Sequence, residues 1–445
     1  MKRTRAAWLA FAPLAFAACS LLVDPEVGSG LGAPCVDDDE CQASTCIDGL
    51  CAVGCNDSSG CPGGTVCANS ACSLPLGVGF VLAYDIEQDQ FGESLAKGSD
   101  DLVVAQAYVV PELRDDAELA SEAVARANEL TATGARVIVA GSPLYGSAFQ
   151  TFAESHPDVT VLSYESPATS TNLVRMGVRT YEAYYLAGLA AGRITQTGRL
   201  GMLGSIASPP TIASINAFAL GAQTTHPGAI VELRWMGAPH DTSPKVDGKS
   251  KERRDTEDMV LDTGCDVIAH TLDNSIPLYT LKSLIDDGAD VYGIGANLRD
   301  ACDVLPAGRC IGTTYFEWGP YLSRIIHRLH HYDDVGPIEV ERIRVSDTDS
   351  AFGFIVGDNI DMQQQIATEV DAVRASLATN TGAGQIFDGP ITSTGQCEAA
   401  LGTSPCVAEG AELSEEGLAS MCWLVAGIVD ETGAPAMAPA SCTPL

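Results

Sequence analysis

The sequence predicts an α/β protein in which doubly wound parallel sheets follow a small disulfide-rich module. Three observations predict this class. The chain has 445 residues, enough for two or three domains at roughly 100–200 residues each. Eight of its 16 cysteines lie between Cys35 and Cys72. After Gly77, short apolar runs alternate with longer helical stretches, an order typical of parallel sheets covered by helices.

The N-terminus predicts export and attachment of a lipid. Residues 1–18 combine basic residues with an apolar stretch and two final alanines, which is the pattern of a signal peptide. Cys19 completes a sequence that resembles a bacterial lipobox, so we expect it to carry the lipid; ordinary cleavage that leaves a thiol is the alternative. Residues 19–34 form a linker. No later stretch has the ~20 apolar residues of a spanning helix, so membrane attachment is expected through the lipid alone.

Residues 35–72 are predicted to form a module held by disulfides. Its cysteines are spaced as a four-cysteine unit used twice, and almost no large apolar residue accompanies them. Cross-links are then needed to hold the segment in one shape. A metal site is the alternative, but the segment has no histidine and no Cys-x-x-Cys motif. The predicted disulfide cysteines here are Cys35, Cys41, Cys46, Cys51, Cys55, Cys61, Cys67 and Cys72, and the sequence leaves their pairing open.

Apolar runs after Gly77 predict buried parallel strands, and the stretches between them predict helices. The predicted strands are 78–83, 103–104, 135–140, 159–162, 200–203, 230–234, 267–269 and 291–295. The predicted helices are 116–133, 180–196, 212–225 and 249–264. Ligands of open parallel sheets bind just past the carboxyl ends of the strands. That rule selects the segments 85–91, 141–146, 205–213, 271–275 and 296–300.

The cysteines of this second region are predicted to form local disulfides in the same oxidising setting. The expected pairs are Cys302 with Cys310, Cys397 with Cys406, and Cys422 with Cys442. Cys265 remains without a partner and is expected to be a buried thiol, because it stands at the start of an apolar strand.

The composition excludes some function classes. Hydrophobic residues make up 46% of the chain and charged residues 19%, so the chain can bury a sizeable core. The 58 acidic and 25 basic side chains give a formal net charge of −33, which repels a phosphate backbone. No nucleic-acid partner is therefore expected. We also predict no enzyme, because the chain contains neither a complete phosphate-binding loop nor a Gly-x-Ser-x-Gly elbow. No cofactor and no metal are expected.

Motifs across some 350 residues after Gly77 resemble those of one protein family and stand in its order. They are Tyr181-Glu-Ala-Tyr-Tyr-Leu-Ala-Gly-Leu-Ala-Ala-Gly192, Asn216-Ala-Phe-Ala-Leu-Gly221, Gly264-Cys-Asp-Val-Ile-Ala-His270, Glu317-Trp-Gly-Pro-Tyr321, Ile386-Phe-Asp-Gly-Pro390 and the segment 413–429. The family resembled is the basic membrane protein family of lipoproteins, substrate-binding components of ABC importers related to purine-nucleoside binders. The resemblance implies a type I periplasmic-binding fold over residues 77–445, with two lobes, a hinge and a ligand cleft.

The resemblance also implies which side chains meet the ligand. Phe91 and Phe218 match aromatic residues of the family that contact the base, and Asn297 stands where the family usually has an aspartate. Asp273 and Asn216 lie in the matching loops of the second lobe. Ser142 is added because it follows a predicted strand end, and Trp318 because it lies in the motif 317–321. The predicted ligand-binding residues are therefore Phe91, Ser142, Asn216, Phe218, Asp273, Asn297 and Trp318.

Structural roles compete with several of these assignments. Phe218 lies on an amphipathic helical pattern, where core packing is equally typical. Asp273 precedes an apolar run, as a helix N-cap does. Asn297 is also suited to a turn, and Trp318 to packing between lobes.

The function predicted from the sequence is that of a lipid-anchored solute-binding protein of an ABC importer. Its ligand is expected to be a small polar ring compound such as a purine nucleoside, and its protein partner an ABC permease. The expected location is the cell envelope, with the lipoprotein facing the periplasm or the exterior. A surface sensor or adhesion-type binding lipoprotein with no transport role is the alternative.

Overall fold

A computed structural model describes most of the chain after residue 37. The described residues are 38–41, 45–47, 50–56, 58, 61, 66–68, 71–165, 170–240, 243–332, 341–345, 347, 350–378, 386–397 and 405–442. The predicted signal peptide, the linker, Cys19 and Cys35 lie outside them. Contacts divide the chain into two units, Met1–Leu74 and Pro75–Leu445. Among the described residues, no helix combines the length and the apolar character needed to cross a membrane.

The first unit contains two antiparallel hairpins. The first pairs β1 (Thr45–Ile47) with β2 (Leu50–Ala52), and the second pairs β3 (Val66–Ala68) with β4 (Ala71–Ser73). Disulfides join Cys41 to Cys51, Cys55 to Cys67 and Cys61 to Cys72, and Cys46 is also disulfide-bonded. The second and fourth cysteines are joined in both four-cysteine units. The repeat seen in the sequence is therefore also a structural repeat.

The first lobe of the second unit is built on a six-stranded sheet in which every pairing is parallel. Across the sheet, its strands are β15 (Glu341–Ile343), β9 (Leu173–Val178), β8 (Thr160–Tyr164), β7 (Ala135–Ala140), β5 (Leu76–Val81) and β6 (Val109–Arg114). Its helices are α1 (Gln90–Ala105), α2 (Ala120–Thr133), α3 (Gly146–Ser155) and α8 (Trp318–Tyr332). Buried apolar side chains of α2 and α3, such as Leu130 and Phe149, form a core with Ile138 and Val161 of the sheet.

The second lobe is built on a seven-stranded sheet. Across it lie β16 (Phe352–Val356), β14 (Cys310–Phe316), β13 (Tyr292–Gly295), β12 (Val267–His270), β10 (Arg199–Gly204), β11 (Ile230–Trp235) and β17 (Ile428–Val429). The pairing of β14 with β16 is antiparallel and the others are parallel. The helices are α4 (Thr180–Ile194), α5 (Pro209–Thr225), α6 (Lys251–Leu261), α7 (Ile276–Asp286), α9 (Gln363–Leu377) and α10 (Glu415–Ala419). This is the α/β class with parallel sheets that the sequence predicts.

The chain crosses between the two lobes three times. From β9 it enters α4 through Arg179, from β14 it enters α8 through Glu317, and from β15 it leads back to β16. Three adjacent connections of this kind are typical of a hinge about which two rigid lobes close. The hinge implied by the resemblance therefore has a structural counterpart.

One predicted strand is wrong. Val103 and Val104 do not form a strand but lie in the last turns of α1. The side chain of Val104 is 88% exposed, whereas Leu95 and Leu102 on the other face of the helix are fully buried. Two adjacent valines do not distinguish a strand from an amphipathic helix, and here the spacing of Leu95 and Leu102 decides for the helix.

Disulfides of the second unit join Cys302 to Cys310, Cys397 to Cys406 and Cys422 to Cys442, the pairs expected from the sequence. Cys265 is a buried free cysteine. Burial raises the pKa of its thiol to about 11, so it is a protonated thiol at neutral pH and a poor nucleophile.

Candidate ligand cleft

A cavity of about 320 Å³ lies in the cleft between the two lobes. All five strand-end segments selected from the sequence contribute to its lining, because the carboxyl ends of both sheets face this cleft. The contributing side chains include Asp89 and Phe91 after β5, Ser142 after β7, Ser205 after β10, Asp273 after β12 and Asn297 after β13.

One side of the cavity is an aromatic wall formed by Phe91, Tyr164, Phe316 and Phe352. The ring centroid of Phe91 lies 5.0 Å from that of Tyr164 and 5.1 Å from that of Phe316, which lies 4.5 Å from Phe352. The wall combines residues of both lobes with Phe316 at the end of a hinge strand. An apolar surface of this kind offers ring faces on which a flat ligand can stack.

Trp318 lies behind the aromatic wall. Its ring stacks on Phe316 with an interplanar angle of 5° and a centroid distance of 5.2 Å. The side chain is fully buried, and its Nε1–H donates a hydrogen bond to Ser94 Oγ at 3.1 Å. Trp318 therefore lies outside the cavity lining and packs against Phe316 from behind; its contact with the ligand stays a prediction.

The polar side of the cavity is formed by Asp273 and Asn297. The Asn297 Nδ2 group donates to Asp273 Oδ1 at 2.8 Å and to the Leu272 carbonyl at 3.1 Å. Asn297 also has a φ of 68°, so it shapes the turn after β13 as well as lining the cavity. Burial, followed by the charge of Asp89, raises the pKa of Asp273 to about 8. A carboxyl with this pKa can donate a hydrogen bond to a ligand near neutral pH as well as accept one.

Contacts across the cleft hold the two lobes together at the edge of the cavity. The backbone N–H of Gln90 donates to the carbonyl of Asp273 at 2.8 Å, and Gln90 Nε2 donates to Ser275 Oγ at 2.6 Å. His240 Nε2 lies 3.7 Å from Asp89 Oδ1. Asp89 ends the loop after β5, and Gln90 is the first residue of α1. The junction of this loop with α1 therefore contacts the second lobe directly, which is the arrangement of a closed cleft.

Two further predicted ligand residues lie away from the cavity. Asn216 and Phe218 are fully buried on α5. The Asn216 side chain donates to the carbonyl of Trp423 at 2.9 Å and accepts from the N–H of Val425 at 2.9 Å, so its amide is used to hold the C-terminal segment. The side chain of Phe218 is buried, and its backbone carbonyl faces Gly188 of α4. Both side chains are thus buried outside the cavity lining, and their contact with the ligand stays a prediction.

Ser142 lines the cavity with its neighbours of the loop after β7, and its hydroxyl also accepts a hydrogen bond from the N–H of Leu144 at 3.2 Å. The structure thus brings Phe91, Ser142, Asp273 and Asn297 together around one cavity. Their contact with a ligand remains a prediction. Sequence reasoning missed Tyr164, Phe316 and Phe352.

The charge of the cavity lining is negative. Among the described residues that line it, there is no lysine, arginine or histidine, whereas Asp89, Glu165 and Asp273 are present. An anionic ligand would meet no compensating charge there. The lining therefore favours a neutral or cationic ring compound.

Comparison with known proteins decides the family. The family described as ABC transporter substrate-binding protein PnrA-like, or Bmp, matches residues 77–329, which is more than half of the chain. This chain belongs to the Bmp family. Membership confirms the resemblance seen in the motifs. The family is described as one of ABC transporter substrate-binding proteins, which bind solutes outside the cytoplasm.

Relatives and solved structures agree with this assignment. The Bmp-family protein is 28% identical over 191 residues to a putative ABC transporter glucose-binding protein of Haloferax volcanii, covering 42% of this chain and 44% of the relative. It is 26% identical over 206 residues to a purine-binding protein of Brucella abortus, covering 46% and 53%. The chain thus spans about half the length of these curated relatives.

A solute-binding protein of an ABC transporter system from Conexibacter woesei has a similar fold. The TM-score is 0.54 at 17% identity, with 68% of the Bmp-family chain and 96% of the other chain covered. At this identity the similarity concerns the fold alone. It confirms the predicted periplasmic-binding architecture of two lobes.

Proposed function

We propose that this protein is the lipid-anchored binding component of an ABC importer and that it carries a purine nucleoside or a related small polar ring compound. The observation that supports the proposal most directly is the interlobe cavity, where an aromatic wall faces the hydrogen-bonded pair Asp273 and Asn297. A flat base would stack on the wall while the hydroxyl groups of a sugar would bond to the polar pair. Base–aromatic stacking contributes about 1–3 kcal/mol per base.

Closure of the lobes on the ligand would supply the signal for transport. A ligand in the cavity touches both lobes only when the cleft is closed, so it shifts the population toward the closed form. An ABC permease that recognises the closed form would then receive loaded protein selectively. The hinge with its three chain crossings provides the mechanical element for this step.

A ligand panel tests the proposed cargo. The panel contains adenosine, guanosine, inosine and adenine, together with D-glucose because one relative is named a glucose-binding protein. Binding to the native state stabilises it by about 2.7 kcal/mol at a ligand concentration of 100 times Kd. We expect purine nucleosides to raise the melting temperature in a thermal-shift assay and to give a one-site isotherm in calorimetry.

The variant Phe91→Ala should weaken nucleoside binding about 5- to 150-fold, because it removes one stacking face worth about 1–3 kcal/mol. Tyr279→Ala is the matched control, since Tyr279 is an exposed aromatic residue of α7 outside the cavity. The absence of any purine effect at millimolar concentration would refute the proposed cargo. A response to glucose alone would assign the cleft to a sugar instead.

The proposed lipid anchor is tested at Cys19. We expect the mature wild-type protein to fractionate with membranes and to carry acyl chains on its N-terminal cysteine by mass spectrometry. Replacing Cys19 with Ser should release most of the protein into the soluble fraction, because the chain then lacks the acyl groups that supply about 0.8 kcal/mol per buried methylene. Cys265→Ser, which changes the free cysteine of the described residues, should stay with membranes. A soluble wild-type protein would contradict the proposal.

A further inference from the structure

A carboxylate–histidine cluster formed by Asp89, His240 and Asp273 lies at the edge of the cavity. One potential ligand atom of each residue is within 4.8 Å of those of the other two. Asp89 follows β5 in the first lobe, whereas His240 and Asp273 follow β11 and β12 in the second. The cluster therefore connects the two lobes, and it is separate from the histidine-rich helix α8.

The atoms that face one another in the cluster have unused bonding capacity. Asp89 is only 3% exposed, and its Oδ1 atom accepts no hydrogen bond from a described residue. His240 Nε2 is also buried; it lies within ion-pair distance of that oxygen, at 3.7 Å, but forms no hydrogen bond with it or with another described residue. Buried polar atoms are nearly always satisfied, so this pair points to a bound species between them.

Electrostatics favours a cation as that species. Two carboxylates close together in a buried site repel each other, and His240 can supply one positive charge at most. The other charged side chain of the described cavity lining is the carboxylate of Glu165. A divalent ion would cancel the charge of both aspartates while His240 binds it in the neutral form.

We propose that Asp89, His240 and Asp273 bind a divalent transition-metal ion, with zinc as the representative case. Two carboxylate oxygens and an imidazole nitrogen form a ligand set typical of Zn²⁺. Asn297 supports the set because its Nδ2 group, 2.8 Å from Asp273 Oδ1, orients that carboxylate from outside. Three protein ligands leave a coordination position for water or for a donor atom of the cavity ligand.

The metal would act as a clamp between the lobes. It draws one ligand from the first lobe and two from the second, so it binds the closed form more tightly than the open form. This site does not depend on the identity of the organic cargo. A failure of the nucleoside panel would therefore leave it untouched.

Titration of EDTA-treated, dialysed full-length protein with Zn²⁺ tests the proposal. Calorimetry should show one zinc ion per chain, and zinc should raise the melting temperature. Replacement by Co²⁺ should produce visible d–d absorption bands. The variants His240→Ala and Asp89→Asn should each weaken zinc binding at least 10-fold and abolish the zinc-induced rise in melting temperature, while their metal-free melting curves show that they fold.

Two control variants locate the site. His226→Ala changes a histidine at the end of α5, and His327→Ala changes one of the histidines of α8; both should bind zinc as the wild type does. The proposal is overturned if wild-type protein binds no zinc at 1 mM, or if His240→Ala leaves binding unchanged. It is also overturned if His327→Ala removes binding, since the metal would then sit on α8.

Discussion

Glu182→Ala is expected to lower the free energy of unfolding by about 3–5 kcal/mol, the cost of removing one partner from a buried ion pair. Glu182 is 1% exposed at the start of α4, next to the crossing from the first lobe. Its Oε1 atom lies 3.6 Å from Arg179 Nη1 and 3.4 Å from Arg344 Nε. Its Oε2 atom accepts a hydrogen bond from the N–H of Val345 at 2.9 Å. One carboxylate thus joins two of the three chain crossings of the hinge.

The loss of stability in Glu182→Ala arises from the buried polar groups that lose their carboxylate partner. Burial raises the pKa of Glu182 above its usual range even though Val345, Arg179 and Arg344 act in the opposite direction. Desolvation therefore outweighs attraction, and the pairing adds little net stability. Alanine, however, removes the carboxylate from both guanidinium groups and from the buried N–H of Val345, and a buried donor without its acceptor costs about 1–3 kcal/mol on its own.

Urea denaturation of three variants separates these contributions. Glu182→Gln keeps an acceptor for Val345 and should cost less than Glu182→Ala. Glu431→Ala removes an exposed carboxylate in a surface turn and should change the free energy by less than about 0.5 kcal/mol. If Glu182→Ala also stays within 1 kcal/mol of the wild type, the hinge does not depend on this carboxylate.

Apolar periodicity predicts most inner strands of both sheets but not the strands at their edges. Seven of the eight apolar runs proposed as strands overlap observed strands, because a buried parallel strand is a short apolar run bounded by polar residues. Of the described strands of the second unit, six lie outside the predicted runs: β6, β9, β14, β15, β16 and β17. The strand β16 pairs antiparallel with β14 at the edge of the second sheet, and its partner is chosen by the return of the chain through the hinge. Local sequence contains no information on that return.

The residues of the candidate site also divide into those that the sequence predicts and those that it does not. Phe91, Ser142, Asp273 and Asn297 were found because they follow strand ends, and the position of a strand end is readable from the sequence. Tyr164 stands just past a predicted strand and the same rule would have found it. Phe352 begins an edge strand that was missed.

Residues predicted from a motif and residues predicted from a strand end lie in different places. Asn216 and Phe218 belong to a helical motif, and they are buried on α5 outside the cavity lining. The contact of Asp89 with His240 joins loops of different lobes, so neither loop sequence predicts it.

The glycines of the helical motifs 181–192 and 216–221 are explained by the packing of α4 against α5. Gly188 of α4 faces the backbone of α5, where a Cβ atom would lie 2.1 Å from the carbonyl oxygen of Phe218. A Cβ atom on Gly221 of α5 would lie 2.3 Å from the carbonyl oxygen of Tyr185 on α4. The two helices therefore approach as closely as backbone atoms allow, and each presents a glycine to the other.

Gly188→Ala should accordingly destabilise the protein by about 3 kcal/mol, the upper end of the usual cost of overpacking, because the obstructing atom is backbone and has no rotamer to adopt. The helices must separate, and Pro210, Thr211 and Ser214 at the start of α5 line the cavity, so ligand binding should weaken as well. Ala125→Ser, which adds one atom at an exposed position of α2, is the control and should remain near the wild-type value. Urea denaturation measures both. A change below 1 kcal/mol for Gly188→Ala would mean that α4 and α5 can move apart without loss, and that the glycine is not required for their contact.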